Sequence, residues 1–201
     1  MLMHYEKWYS PALRRDMEIK VYGRGGKPVL YIPCQDGRFF DFENFGMIDA
    51  WAPFIESGRA TVFSVDTIDS ETWSNTDGDP YWRIRRHEEW MRYLSGEVVP
   101  YIREVCRGYG WQSDPGILAF GCSLGAMHAA NLYFHYPEAF ESCLRSAAST
   151  TRNTASAATW TRRSISTPRC ITFPTCRMTT RSSLCTALIA RSSAWGRVPG
   201  S

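Results

Sequence analysis

Apolar residues along this chain follow two rhythms, and the switches between them mark out the expected elements. Residues 4–9 and 17–22 read as strands. In the second, Met17, Ile19 and Val21 alternate with Glu18 and Lys20, as in a half-solvated antiparallel strand. Ser10, Pro11, Arg14, Arg15 and Asp16 lie between the two as a hairpin loop. Residues 29–32 and 60–65 are short continuous apolar runs, expected as buried strands. The first ends in a polar loop with glycine, Pro33 to Arg38, and the second in a polar stretch, Asp66 to Trp73. Between them Met47, Trp51, Phe54 and Ile55 recur at helical spacing, and Gly58 ends that helix. Asp79-Pro80 opens a long helix over residues 81–106. Its stripe is Ile84, His87, Met91, Leu94, Val98, Ile102 and Val105, and Pro100 should kink it. A turn at 110–115, a strand at 116–120 and a helix at 126–134 follow. Strand–helix alternation of this kind predicts an α/β fold with a mostly parallel sheet.

The turn between the last strand and helix is Gly121-Cys122-Ser123-Leu124-Gly125, a G-x-S-x-G. Strand, tight turn and helix around that pattern form the context a nucleophile elbow needs. The turn strains the backbone at the serine, and side chains two before and two after would collide with neighbouring backbone. Ser123 is the expected nucleophile. The amide of Leu124 opens the next helix and is an expected oxyanion donor. A glycine-rich turn carrying a surface serine is the plainer alternative.

Composition narrows the class. A chain of 201 residues is one domain by size, and 44% hydrophobic with 21% charged residues is globular. A net charge of +3 is too small to argue for nucleic acid. No apolar stretch is long enough to span a membrane, and the first residues do not read as a signal peptide. Seven cysteines without a C-x-x-C pair suggest neither a disulfide framework nor a zinc site, so a reducing, cytoplasmic setting is expected.

With these residues in view, positions 5–141 resemble an esterase of the α/β-hydrolase superfamily, in the branch that includes esterase D-like and feruloyl-esterase-like proteins. The resemblance is carried by Tyr5 to Ser10, the loop and helix from Arg38-Phe39 to Met47, Val65-Asp66, the Glu97 to Ile102 helix and the elbow. It implies an active site at the C-terminal ends of the sheet strands and a triad in the chain order Ser, Asp or Glu, His. It implies a small-molecule ester substrate and no metal or cofactor. The second oxyanion donor would come from the 33–37 loop, as the amide of Cys34 or Gln35. Asp66, Asp69, Glu71 and Trp73 follow a strand ending at the same mouth, so Asp66, Asp69 and Trp73 are candidate pocket residues, with a solvated loop as the alternative. Phe39, Phe40, Phe42 and Phe45 are expected in the core rather than in an acyl pocket, and Cys34 and Cys122 as small packed residues.

After Glu141 the character changes. Residues 142–201 hold no Asp, Glu or Lys, nine arginines, and Ser or Thr at more than a third of positions. A disordered basic tail or an RNA-binding arm would have this composition. The genetic code permits a third account. Taking the third base of each codon with the first two of the next, the stretch from Leu144 permits Ala-Leu-Ser-Gly-Val-Tyr-Asp. The same shift over 163–177 permits Val-Tyr-Leu-Asn-Ser-Pro-Leu-His-Tyr-Leu-Pro-Asn-Leu-Pro, and over 194–201 Val-Gly-Gln-Gly-Ala-Trp-Glu. These runs resemble the esterase continuation, all in one constant frame. The expected division is therefore a hydrolase core over 1–141 and an out-of-frame, poorly ordered segment over 142–201.

This bears on the chemistry. A serine hydroxyl needs a base in hydrogen-bond reach, which in this fold is a histidine on a late loop. Histidines stand only at positions 4, 87, 128 and 135, and no carboxylate follows Glu141. His87, His128 and His135 are expected as helix-surface or core polar residues. The expectation is a serine esterase with its nucleophile in place and its base and acid missing, hence inactive as written. A non-catalytic hydrolase-like binding protein and an acyltransferase using the same serine are the alternatives.

Overall fold

The computed structural model describes residues 1–111, 114–146 and 170–172. Among these residues seven strands form one sheet in the order β1-β2-β4-β3-β5-β6-β7. Strands β1 (Met3–Ser10) and β2 (Arg15–Tyr22) make an antiparallel hairpin, in register from Met3 opposite Tyr22 to Ser10 opposite Arg15. Arg14, at φ 56°, closes its turn. β2 runs antiparallel to β4 (Ala60–Val65). From there the sheet is parallel: β4 with β3 (Lys27–Ile32), β3 with β5 (Ile117–Cys122), β5 with β6 (Phe140–Ser146), and β6 with β7 (Cys170–Thr172). The mostly parallel sheet expected from the alternation is thus present.

Period-two alternation in the central strands divides the core in two. Leu30, Ile32, Phe63, Val65, Ile117 and Ala119 face one side, against Trp90, Leu94, Val98, Ile102 and Leu132. Val29, Tyr31, Val62, Leu118 and Phe120 face the other, against Phe42, Trp51 and Ile55. Helices α1 (Asp41–Asn44) and α2 (Met47–Glu56) cover this second face. Helices α3 (Pro80–Tyr93), α4 (Val99–Gly108) and α5 (Leu124–His135) cover the first. A sheet buried on both faces needs the continuous apolar runs seen in β3, β4 and β5.

Helix α2 begins where its stripe begins, after Gly46, whose φ of 67° a non-glycine residue rarely adopts. Phe39 and Phe42 are buried, whereas Phe45 is exposed. The 81–106 helix is interrupted by a π turn at Leu94–Val98, between α3 and α4. Pro100 explains it: its ring would clash with the carbonyl four residues back, at Gly96, and a wider turn makes room. The stripe holds from His87 onward, but Ile84 is exposed with Tyr81 and Trp82 beside it. Asp79 caps α3 as read, accepting from the Trp82 amide at 2.9 Å. β6 crosses the 141/142 boundary suggested by composition. The expected disorder and frame change fall, apart from residues 142–146 and 170–172, outside the described residues.

Candidate active site

The elbow is built where β5 hands over to α5. Ser123 sits between them at φ 54°, ψ −120°, with its side chain exposed. For a residue with a Cβ this is a strained conformation. It is held from both ends: the Ser123 amide donates to the Ser146 carbonyl at 3.0 Å, and the Ser123 carbonyl accepts from the Ala126 amide at 3.0 Å. The flanking glycines are required by close approach, not by φ. A Cβ at Gly121 would lie 2.7 Å from the Ala126 nitrogen and closer still to the Gly125 carbonyl. A Cβ at Gly125 would lie 3.0 Å from the Ile32 carbonyl carbon and closer still to the Ile32 and Pro33 oxygens. The first turn of α5 therefore rests directly on the end of β3. Leu124, the first residue of α5, has an amide with no partner inside the helix.

The 33–37 loop leaves β3 beside the elbow, since Ile32 pairs with Gly121 across β3 and β5. It is tied down along its length. Asp36 takes φ 57°, its amide donates to Asp69 Oδ2 at 3.2 Å, and its carboxylate accepts from the Ser74 hydroxyl at 2.7 Å. Gln35 Nε2 donates to the same Ser74 oxygen at 2.7 Å. The Thr67 amide and hydroxyl both donate to the Gly37 carbonyl, at 3.2 and 3.0 Å. Loop 33–37 is thus fixed to the 67–74 segment on one side and to the elbow on the other.

Of the three candidate pocket residues, Asp66 and Asp69 are buried and Trp73 is half-buried. Asp66 is buried, accepting from the Phe39 amide at 2.8 Å and Arg38 Nε at 2.9 Å. Burial pushes its carboxyl up, against the pull of those two donors. Asp69 is 2% exposed and accepts from His128 Nε2 at 3.0 Å as well as from Asp36. Trp73 Nε1 donates to His87 Nδ1 at 3.4 Å, and its ring meets His128 edge-on. These side chains and Trp90 form a packed polar cluster beneath the loops. Burial, and then the neighbouring His128, pull His87 down to about 4. His128 Nδ1 is buried without a partner. The Asp69–His128 pair was missed in the sequence; its signal is a lone histidine among Ala126, Ala129 and Ala130 on the buried face of α5.

Among the described residues no histidine bonds to the Ser123 hydroxyl. His4 pairs with Glu6, His87 and His128 lie in the packed cluster, and His135 is in the last turn of α5. No group of three or more His, Cys, Asp or Glu suited to a metal occurs among the described residues. No helix among them is long and apolar enough to cross a membrane.

Comparison with known proteins yields one family and a set of structural neighbours. The family described as "Putative esterase" matches residues 10–197. That match runs well past Glu141, where the resemblance read from individual residues ends. No curated protein matches the chain. Among solved structures, an S-formylglutathione hydrolase from Agrobacterium tumefaciens is 18% identical with a TM-score of 0.53, over 71% of this chain and 56% of that one. A ferulic acid esterase is 16% identical with a TM-score of 0.51, over 71% and 58%. FphF, a fluorophosphonate-binding serine hydrolase of Staphylococcus aureus, is 10% identical with a TM-score of 0.50, over 73% and 57%. The chain spans little more than half the length of each. Likeness at this identity shows the fold, which is that of the α/β-hydrolase esterases.

Proposed function

Since the chain belongs to this esterase family, we propose that it is the nucleophile-bearing part of a serine carboxylic-ester hydrolase. Ser123 Oγ would attack the ester carbonyl. The oxyanion that forms would accept from the Leu124 amide and from the amide of Cys34 or Gln35. The alcohol would leave, and water would release the acid from the acyl-serine. The observation that carries this reading is the strained Ser123 backbone, held between two glycines that only close approach requires.

The same reading makes the chain, as written, a poor catalyst. No histidine or carboxylate follows Glu141 to act as base and orienting acid. A change of reading frame near residue 142 would remove both. It is supported by the abrupt loss of acidic residues and by the esterase-like runs permitted in one constant frame. Resequencing the codons for 138–146 tests it. A reducing, cytoplasmic setting belongs to the same proposal.

The test compares this chain with its frame-restored counterpart and with Ser123→Ala in both. Each is exposed to p-nitrophenyl acetate and to a fluorophosphonate probe. The expected result is turnover and labelling at Ser123 in the restored protein only. Labelling of the written chain that Ser123→Ala abolishes would overturn the missing-base account. A restored protein that is neither labelled nor active would overturn the esterase reading.

A further inference from the structure

Two thiols meet at the ends of β3 and β5, and neither has a role in the chemistry above. Ile32 pairs with Gly121 in the parallel register. One step further sets Pro33 beside Cys122 and leaves Cys34 on the diagonal. With strands about 4.8 Å apart and a rise of about 3.3 Å per residue, a diagonal neighbour one residue on lies about 6 Å away, within the range of Cα separations that a disulfide spans. Cys122 is in the apolar cluster on the α1–α2 face, and Cys34 packs against that cluster. The two side chains are near enough for each to perturb the other's proton affinity. Both are free thiols; Cys122 is buried, and Cys34 is partly open to solvent.

The two differ in reactivity. The neighbouring Cys122 side chain pulls the Cys34 thiol down to about 7, against burial, so Cys34 is the readier of the two to ionise. The same contact, with burial, pushes the Cys122 thiol up. A solvent-reachable thiolate beside a buried thiol has the division of labour of a peroxide-sensing pair: one sulfur is attacked first and the other resolves it.

We propose that Cys34 and Cys122 are a redox modification site, in which hydrogen peroxide oxidises Cys34 and Cys122 then closes a disulfide between the 33–37 loop and the end of β5. In the first step the Cys34 thiolate attacks one peroxide oxygen. The O–O bond breaks, sulfur is oxidised to the sulfenic acid, and the second oxygen takes up a proton and leaves as water. In the second step Cys122 sulfur attacks the Cys34 sulfur. The S–O bond breaks, and the hydroxyl departs with the Cys122 proton as a second water. Dithiol and one peroxide become disulfide and two waters. The bond formed would join the 33–37 loop to the residue preceding Ser123.

The test is peptide mapping of the full chain under non-reducing conditions, after peroxide treatment and alkylation of the remaining thiols. The expected product is a linked pair of peptides holding Cys34 and Cys122, lighter by two hydrogens than their sum and released by dithiothreitol. The link should form in native buffer and not in guanidinium chloride. In Cys122→Ser, Cys34 should stop at the sulfenic acid and be captured by dimedone. In Cys34→Ser, Cys122 should remain alkylatable once the protein is unfolded. The proposal is overturned if Cys34 stays fully alkylatable after peroxide. It is equally overturned if Cys34 pairs with cysteines other than Cys122, or links as well in denaturant as in native buffer. None of these readouts requires esterase activity, so this proposal and the esterase reading fail independently.

Discussion

Adding a single methyl group at Gly125 should lower the stability of this protein by about 3 kcal/mol, the upper end of what overpacking usually costs. The new Cβ would sit 3.0 Å from the Ile32 carbonyl carbon, with the Ile32 and Pro33 oxygens nearer still. Carbon atoms pack comfortably at about 3.5–4.0 Å, so α5 must retreat from β3 by about 1 Å. Nothing can swing aside, because every atom met belongs to the main chain at the end of a central strand. The retreat also thins the contact of Ala129 and Leu132, both fully buried, with the core. Gly108→Ala is the control. That glycine ends α4 without a left-handed φ, and an added Cβ meets nothing within 4 Å. There alanine should gain about 0.5–1 kcal/mol through reduced freedom of the unfolded chain. Urea unfolding followed by tryptophan fluorescence measures both, with the slope checked for constancy. If Gly125→Ala unfolds at the wild-type midpoint, the elbow helix does not rest on β3 and the account of the glycines is wrong.

Three further outcomes are expected. Ser123→Gly should raise stability by about 1–2 kcal/mol by relieving a φ of 54° that glycine adopts freely, while Ser123→Ala, which keeps its Cβ, should not; chemical denaturation separates them. Glu97→Ala should cost about 2–3 kcal/mol in a thermal or urea melt, because Glu97 accepts from Trp8 Nε1 at 3.1 Å, Ser10 Oγ at 2.8 Å and the Ala12 amide at 3.1 Å. Acid should weaken the fold through His87, which stays neutral down to about 4 when folded against an ordinary value of 6.5. Between those values the unfolded chain binds a proton that the folded one refuses. Stability present above pH 6.5 is therefore lost as pH falls through that window, by about 3 kcal/mol in all. Glutamine at position 87 should flatten the slope there, and an unchanged slope would remove His87 as its source.

What was legible in the sequence was whatever is encoded locally. The apolar runs of β3, β4 and β5 are short, continuous and bounded by turn residues, and each is a strand within a residue or two of its expected limits. The helices were harder because tertiary contacts overrode period. Ile84 fits the α3 stripe by spacing, yet it lies in the first turns of the helix, outside the packed core, and is exposed. The π turn at Leu94–Val98 follows from Pro100, but only the structure shows the strain absorbed by widening the helix rather than by ending it. The stripe from Met47 to Ile55 is helix α2, which begins directly after the left-handed Gly46.

The candidate site divides along the same line. Ser123, Leu124 and both glycines come from five consecutive residues, so a motif can announce them. The Asp69–His128 pair joins residues 59 apart, and neither partner looks unusual in its own neighbourhood. That pair also bears on the chemistry: Asp69 holds the amide of Asp36, in the loop that carries Cys34 and Gln35, while its other oxygen holds a histidine of the elbow helix. The anchor therefore lies wholly within residues that precede Glu141, as do β3, β4 and β5. On the proposed esterase reading, the base and acid belong to the chain after Glu141. Loss of frame near residue 142 would then separate the two halves of the machinery: the nucleophile and the oxyanion donors would keep their geometry while reactivity was lost. The written and frame-restored chains should accordingly share the same penalty at Gly125 and the same relief at position 123, and differ in acylation of Ser123. A Gly125→Ala penalty present only in the restored chain would mean that the elbow needs the tail to form.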